Sequence, residues 1–262
     1  MACNGVKAFV EEAEILENRM LAEDYYIMRV KSPKTAEVAL AGQFSMLKPK
    51  NEIRILRRPI SIHSVDKEKG EMEYYYEVLG GGTKDFAILK IGETINIQGP
   101  LGVGFDLNIE NKNVVAIGGG LGIAPLKELL NQLKDKNKVV HIAGGRSAKH
   151  LGILSSFDES IETLIATDDG SLGKKGNTVD ILKEYLKENK VDIIYTCGPH
   201  IMMEAVARVA KEHGIRCQVS LEERMACGVK ACMGCSIPTT KGMQKVCYDG
   251  PVFEANEVID VE

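Results

Sequence analysis

The reading of the fold turns on Val114-Val115-Ala116-Ile117-Gly118-Gly119-Gly120-Leu121-Gly122-Ile123-Ala124-Pro125-Leu126. Its opening run of apolar residues reads as a strand buried on both faces, as in a parallel sheet. Glycines follow, and then Leu126-Lys127-Glu128-Leu129-Leu130-Asn131-Gln132-Leu133 keeps helical spacing, with Pro125 at an allowed first-turn position. A strand, a glycine turn and a helix make a phosphate-binding entry. Gly118, Gly119, Gly120 and Gly122 let a pyrophosphate reach the backbone, and the helix N-terminus favours its charge. The pattern is not a strict G-x-G-x-x-G, and a tight turn without a ligand is the alternative.

Downstream the same rhythm continues. Val139-Val140-His141-Ile142-Ala143, Thr163-Leu164-Ile165-Ala166-Thr167 and Ile193-Ile194-Tyr195-Thr196 read as strands, and residues 179–187 and 200–213 as helices. This alternation predicts a parallel, helix-covered α/β sheet over residues 111–218. The 139–143 strand runs into Gly144-Gly145-Arg146-Ser147 rather than an acidic residue. Arg146 is either a reader of a 2′-phosphate or a solvated side chain, so NAD versus NADP stays open on this ground. Cys197-Gly198-Pro199 closes another strand at its carboxyl end, where ligands bind such sheets.

Upstream the pattern is short and β-like. Tyr25-Tyr26-Ile27-Met28-Arg29-Val30, Glu73-Tyr74-Tyr75-Tyr76-Glu77-Val78 and Thr94-Ile95-Asn96-Ile97-Gln98 read as strands punctuated by Gly and Pro. An antiparallel barrel or sandwich over residues 1–110 follows, with one helix expected at 83–89. Within it, Arg58-Pro59-Ile60-Ser61 combines a guanidinium suited to bidentate phosphate pairing with a hydroxyl. Gly80-Gly81-Gly82-Thr83 precedes the helix as a second anion site. A surface Arg and a Gly-rich hairpin are the bland alternatives. Tyr74, Tyr75 and Tyr76 read first as packing, and His63 as a structural residue.

From residue 219 onward the chain is rich in Cys and Gly. Cys227, Cys232, Cys235 and Cys247 are spaced x4, x2 and x11, the plant-type [2Fe–2S] arrangement. Glycines at 228 and 234 let N–H groups approach the sulfides. The alternative is a zinc-stabilised binding module, although zinc sites usually pair two Cys-x2-Cys knuckles and only one is present. The order of this segment is expected to come from its metal.

Composition frames these readings. A chain of 262 residues predicts about two domains. With 44% apolar and 27% charged residues it has material for more than one core. A net charge of −4 without a basic block argues against nucleic acid. Residues 1–18 carry Glu11, Glu12 and Glu14 and lack an apolar core, so no secretory signal is expected. The most apolar stretch, 114–126, is short and broken by glycines, so no membrane span is expected either. Seven cysteines, four of them within the last 36 residues, fit a metal site in a reducing compartment, the cytoplasm, better than a disulfide framework.

Taken in order, Arg-Pro-Ile-Ser, Gly-Gly-Thr, Gly-Gly-Gly-Leu-Gly-Ile-Ala-Pro and Cys-Gly-Pro resemble the ferredoxin–NADP reductase superfamily. Ser220-Leu221-Glu222-Glu223-Arg224-Met225-Ala226-Cys227-Gly228 and the other cysteines narrow the resemblance. It becomes that of the electron-transfer subunits of NAD-dependent dihydroorotate dehydrogenases, over almost the whole chain. The resemblance implies FAD in the barrel, held at Arg58, Pro59, Ile60 and Ser61 and at Gly81, Gly82 and Thr83, with the backbone of Tyr75, Tyr76 and Glu77 along the flavin ring. It implies NAD across Gly118 to Gly122, with Cys197, Gly198 and Pro199 near the nicotinamide, and a [2Fe–2S] cluster on the four cysteines in a module at 219–262. It implies a partner, the FMN-containing dihydroorotate dehydrogenase catalytic subunit, in a heterotetramer of two chains of each kind. Electrons would pass from that FMN through the cluster and FAD to NAD+. Three cofactor segments leave no room for a (β/α)8 barrel of about 250 residues, so dihydroorotate oxidation belongs to the partner. A neighbouring branch, the small subunit of the electron-bifurcating NADH-dependent ferredoxin:NADP oxidoreductase, shares the architecture and is the rival. Two departures stand out. Ile60 replaces the aromatic usual two residues after the motif Arg, and Lys230 replaces a residue of the cluster loop that is often Gly.

Overall fold

A computed structural model describes residues 2–3, 6–51 and 53–259. The β-rich first segment closes into a barrel of six antiparallel strands: β1 (Phe9–Ala22), β2 (Tyr25–Lys31), β3 (Phe44–Leu47), β4 (Arg58–Asp66), β5 (Glu71–Glu77) and β6 (Thr94–Leu101). They follow the order β1-β2-β5-β4-β3-β6, and β6 pairs back to β1. Closure removes the exposed edges that an open sheet of this size would have to protect. Period-two alternation decides which tyrosines fill it. Met72, Tyr74 and Tyr76 of β5 join Ile15, Ile62 and Ile97 inside the barrel. Tyr74 donates to Ser45 Oγ at 2.9 Å and Tyr76 to Asn18 Oδ1 at 3.0 Å, so both are packing residues with satisfied hydroxyls. Tyr75, one residue out of phase, packs on the other face with Tyr25, Ile123 and Leu151.

Two short helices sit on the barrel, α1 (Pro33–Val38) and α2 (Gly81–Ala87). The second begins two residues ahead of the sequence expectation. The Thr83 hydroxyl accepts from the Leu79 and Gly80 N–H groups at 3.0 and 3.3 Å, which folds the chain into the turn before Thr83 is reached.

The second segment is a doubly wound sheet. Its strands are β7 (Asn113–Gly119), β8 (Lys138–Gly145), β9 (Glu162–Thr167), β10 (Lys174–Lys175), β11 (Ile193–Cys197) and β12 (Arg216–Ser220). The spatial order is β10-β9-β8-β7-β11-β12, all parallel. The chain winds outward from β7 in one direction and returns to its other side at β11. That reversal opens a crevice at the carboxyl ends of β7 and β11, where ligands of such sheets bind. Helices α3 (Leu126–Leu133), α4 (Thr178–Glu188) and α5 (His200–Glu212) cover the faces. A 3-10 turn over Gly120–Ile123 follows β7, so Pro125 caps α3 rather than lying inside its first turn. Leu126, Leu129, Leu130 and Leu133 form the buried stripe that holds α3 to the sheet.

The cysteine-rich segment is ordered by more than a metal. A hairpin, β13 (Ser236–Thr239) and β14 (Gly242–Lys245), is followed by β15 (Val252–Glu254) and helix α6 (Ala255–Val258). β15 pairs antiparallel with β12, extending the doubly wound sheet at its edge. β12 itself runs through residue 218, where the sequence reading divides two modules.

The barrel and the sheet are tied by specific bonds. His63 Nδ1 lies 2.8 Å from the Ala124 carbonyl and Nε2 lies 3.0 Å from Ser156 Oγ. Glu128 accepts from the Val65 N–H at 2.9 Å, and Lys127 pairs with Glu73 at 2.8 Å. Burial drives the pKa of His63 down to about 3. It is a neutral interface residue, the structural role expected of it. No helix among the described residues is long and apolar enough to cross a membrane.

Candidate functional site

A cleft of about 450 Å³ lies beside the barrel, walled by Arg58, Pro59, Ile60 and Ser61 on one side and by Gly81, Gly82 and Thr83 on another, with Tyr75, Tyr76 and Glu77 between them. The strands explain the convergence, because β4 and β5 are antiparallel neighbours in the barrel. The Arg58 guanidinium donates only to the carbonyls of Leu56 and Arg57, at 2.8 and 3.3 Å. Among the described residues no carboxylate pairs with it. It lies directly against Gly82, where a Cβ would stand 2.5 Å from Nε, so the cation crosses this turn at its glycine. A cation without a counter-ion at a glycine-floored wall fits a phosphate ligand. Tyr75 lines the same cleft, and its buried hydroxyl has no hydrogen-bond partner among the described residues. Ile60, where an aromatic residue is usual, gives this wall an aliphatic surface in place of a stacking ring. These residues fit FAD.

A second cleft, about 1040 Å³, opens at the crevice between β7 and β11. Gly119, Gly120 and Gly122 line it, as do Gly198 and Pro199. Gly118 and Cys197 lie behind this wall. A Cβ on Gly118 would press on Ile123 and Leu126, and Cys197 is only 1% exposed. Cys197 thus supports the crevice from the core rather than lining it as a small surface residue, and burial pushes its thiol well above its usual range. Gly122 has a strict reason to be glycine, since its Cβ would fall 2.5 Å from the Gly198 Cα and closer still to the Cys197 carbonyl. The rest of the wall escaped the sequence reading. Asp168 at the end of β9, His150, and Asn177 and Thr178 at the start of α4 all reach this cleft beside Arg146. Strand ends facing one crevice were the available signal for Asp168. An extended dinucleotide fits this elongated, glycine-floored groove.

The two clefts are continuous, sharing Glu77, Leu79, Leu121, Leu221, Glu222 and Glu223. Tyr25 stands at this junction, its ring stacked on Tyr75 at 5.9 Å. Burial, with the Glu77 carboxylate beside it, pushes the Tyr25 phenol up to about 12. Glu222 is exposed at the mouth, and partial desolvation of its carboxyl by the neighbouring protein raises its pKa. Sequence reasoning used Glu222 only as part of a motif.

The same segment leads directly into the cysteine loop. Cys227 is partly exposed and Cys232 exposed, whereas Cys235 and Cys247 are 3% and 1% exposed. Cys227, Cys232 and Cys235 precede the hairpin and Cys247 follows it; the Val246 N–H donates to the Cys235 carbonyl at 3.0 Å, which brings Cys247 back beside the loop. Four cysteine thiolates are the donor set of a two-iron centre. Backbone amides point at the sulfurs. Val229 and Cys232 donate to Cys227 Sγ at 3.4 Å each. Such donors, Gly234 first, draw the Cys232 thiol down to about 7, whereas burial pushes Cys247 up to about 12. The loop rests on the barrel: Gly228, at φ +67°, would drive a Cβ to 2.7 Å from Met46. The four residues fit a [2Fe–2S] cluster.

A barrel with a cation-walled cleft, a doubly wound sheet with a glycine-floored groove and a four-cysteine loop define a flavin- and nicotinamide-dependent iron–sulfur oxidoreductase. Family models bear this out: an oxidoreductase FAD-binding domain matches residues 12–105 and an oxidoreductase NAD-binding domain 116–208. The iron-sulfur cluster binding domain of dihydroorotate dehydrogenase B matches residues 222–259. The chain is 41% identical over 253 residues to the dihydroorotate dehydrogenase B (NAD(+)) electron transfer subunit of Listeria innocua, covering 94% of this chain and 98% of that one. It is 37% identical over 257 residues to the subunit of the same name from Desulforamulus reducens, covering 95% and 98%. The chain belongs to this family of electron transfer subunits. Among solved structures, an NADH-dependent reduced ferredoxin–NADP oxidoreductase described for flavin-based electron bifurcation aligns with a TM-score of 0.86 and 32% identity, over 95% of this chain and 90% of that one. A ferredoxin reductase of carbazole 1,9a-dioxygenase shares the fold at a TM-score of 0.66 and 24% identity, covering 80% and 67%.

Proposed function

We propose that this chain carries electrons from an FMN-containing, dihydroorotate-oxidising partner subunit to NAD+ in pyrimidine synthesis. The observation that carries the proposal is one segment of chain: residues 220–223 wall the flavin cleft, 221–223 also wall the nicotinamide cleft, and Cys227 follows them. Three sites so connected suit a relay between a one-electron and a two-electron carrier. A bound flavin supplies the exchange between one- and two-electron chemistry. The chain's own residues bind and orient. Arg58 anchors the phosphate end with Gly82 and Thr83, the 75–77 strand end bounds the ring, and Gly119, Gly120 and Gly122 seat the dinucleotide.

The working unit is read as a FAD-binding barrel at 1–110, an NAD-binding domain at 111–218 and a cluster module at 219–262, acting in the cytoplasm in a heterotetramer of two chains of each kind. The alternative is a ferredoxin-linked or bifurcating reductase, favoured by the structural alignment at 32% identity; identity with the dihydroorotate branch reaches 41%. The deciding experiment mixes this protein anaerobically with the FMN-type dihydroorotate dehydrogenase chain of the same organism. NADH formation from dihydroorotate and NAD+ that needs both chains supports the proposal. No turnover with flavin and cluster intact overturns the partner and moves the chain to the ferredoxin-linked branch.

A further inference from the structure

Lys230 and Met233 are the non-glycine residues of the cysteine loop in the left-handed region, and Lys230 is the one whose side chain carries a charge. It adopts φ +67°, a left-handed conformation that glycine takes freely and a side chain takes only at a cost. What the side chain gains in exchange is a defined seat. Its ammonium lies 3.9 Å from the centroid of the Tyr248 ring and 3.9 Å from Asp249 Oδ1. Tyr248 and Asp249 directly follow Cys247. Lys230 therefore holds a positive charge over the chain leaving one of the four cysteines. The aromatic face fixes the position of a cation that would otherwise range through solvent.

We infer that Lys230 is a positioning residue that raises the reduction potential of the two-iron centre through this fixed charge. The inference rests on the cluster reading given above. Reduction adds one electron, and so one negative charge, to an already anionic centre. A cation held nearby favours the reduced form, and net charge and hydrogen bonds to sulfur are what set such potentials. Asp249 does not cancel the effect, because removing the ammonium leaves that carboxylate uncompensated and acts in the same direction.

The test is potentiometric titration of the purified holoprotein followed by electron paramagnetic resonance, with Lys230→Gln, Lys230→Gly and Lys230→Arg beside the wild type. Gln and Gly are both expected to lower the midpoint, by about tenfold in the one-electron equilibrium constant, or about 59 mV. Arg is expected to hold it near the wild-type value. A wild-type midpoint in Lys230→Gln overturns the inference, as does a drop confined to Lys230→Gly, which would place the effect in the backbone. Should Lys230→Gln fail to assemble its cluster, Lys230→Asn, neutral and tolerant of the left-handed conformation, takes its place under the same criterion. A wild-type protein with no [2Fe–2S] signal would instead strike the cluster reading itself.

Discussion

Replacing Gly122 with Ala tests the nicotinamide crevice at its tightest point. The new Cβ would stand 2.5 Å from the Gly198 Cα and nearer to the Cys197 carbonyl. Ordinary carbon–carbon contacts are about 3.5–4.0 Å, so the turn and the 197–198 backbone must part by roughly 1 Å. Both sides are main chain and neither has a flexible side chain to swing away. Overpacking of this kind costs about 1–3 kcal/mol, which for a protein of this size lowers Tm by roughly 2–12 °C. The same displacement moves the residues that seat the dinucleotide, and a misplacement of about 1 Å at a reacting site can cost about 100-fold. The expected result in NADH oxidation with ferricyanide is a kcat/KM for NADH lower by about two orders of magnitude, with FAD and iron content unchanged. Gly92→Ala is the control. It lies outside both clefts and its Cβ would enter open space, so its cost is only the left-handed strain at φ +83°, about 1–2 kcal/mol. If Gly122→Ala matched the wild type in Tm and in kcat/KM, the account of this crevice would be refuted.

Three further outcomes are expected. Arg58→Met keeps the aliphatic stem but removes a charge-assisted phosphate contact worth about 1.5–3 kcal/mol, so FAD should bind about 10–100-fold more weakly; unchanged retention of flavin on dilution would contradict the phosphate role. Glu222→Gln takes a carboxylate from the wall that both clefts share, so it should keep flavin content and Tm yet lower KM for NADH in NADH–ferricyanide turnover by about twofold or more, and a wild-type KM would remove Glu222 from the dinucleotide's wall. His141 is fully buried, stacked on Phe157 at 4.9 Å, with no partner for either ring nitrogen among the described residues, and burial drives its pKa down to about 3. Its ordinary value is 6.5, so below that pH the unfolded chain takes up a proton that the native chain refuses; stability is full above 6.5 and falls as pH drops toward 3. That loss amounts to about 2 kcal/mol by pH 5, and urea unfolding at pH 7 and pH 5 should show His141→Leu spared that much of it.

Much of this fold was legible because its signals are local. The run from Val114 to Leu126 specifies strand, turn and helix by itself, and the x4, x2, x11 cysteine spacing names its metal chemistry. The antiparallel barrel was readable as a class, since alternation and punctuation survive in single strands, but closure depends on pairing between β1 and β6 across most of the domain. Tyr75 shows the limit at side-chain level. Its neighbours Tyr74 and Tyr76 fill the barrel, and only the phase of β5 separates the packing residues from the one at the cleft. Asp168, Glu222 and His150 were missed as site residues because each reaches its cleft from a different element. Gly118 and Cys197, conversely, belong to the motifs but sit one layer beneath the ligand surface. The C-terminal segment departed most from expectation, since β15 joins a sheet begun more than a hundred residues earlier.

That last strand governs how the metal loop is made. β12 and β15 lie side by side, so the excursion of about 30 residues between them starts and ends at one fixed place. The entropy of bringing its ends together is met by the sheet when the protein folds, leaving for the metal only the ordering of the loop's interior. A scaffold of this kind separates folding from metallation in time: the chain can be completed first and receive its iron and sulfide afterwards, and a chain stripped of its cluster keeps the frame needed to be loaded again.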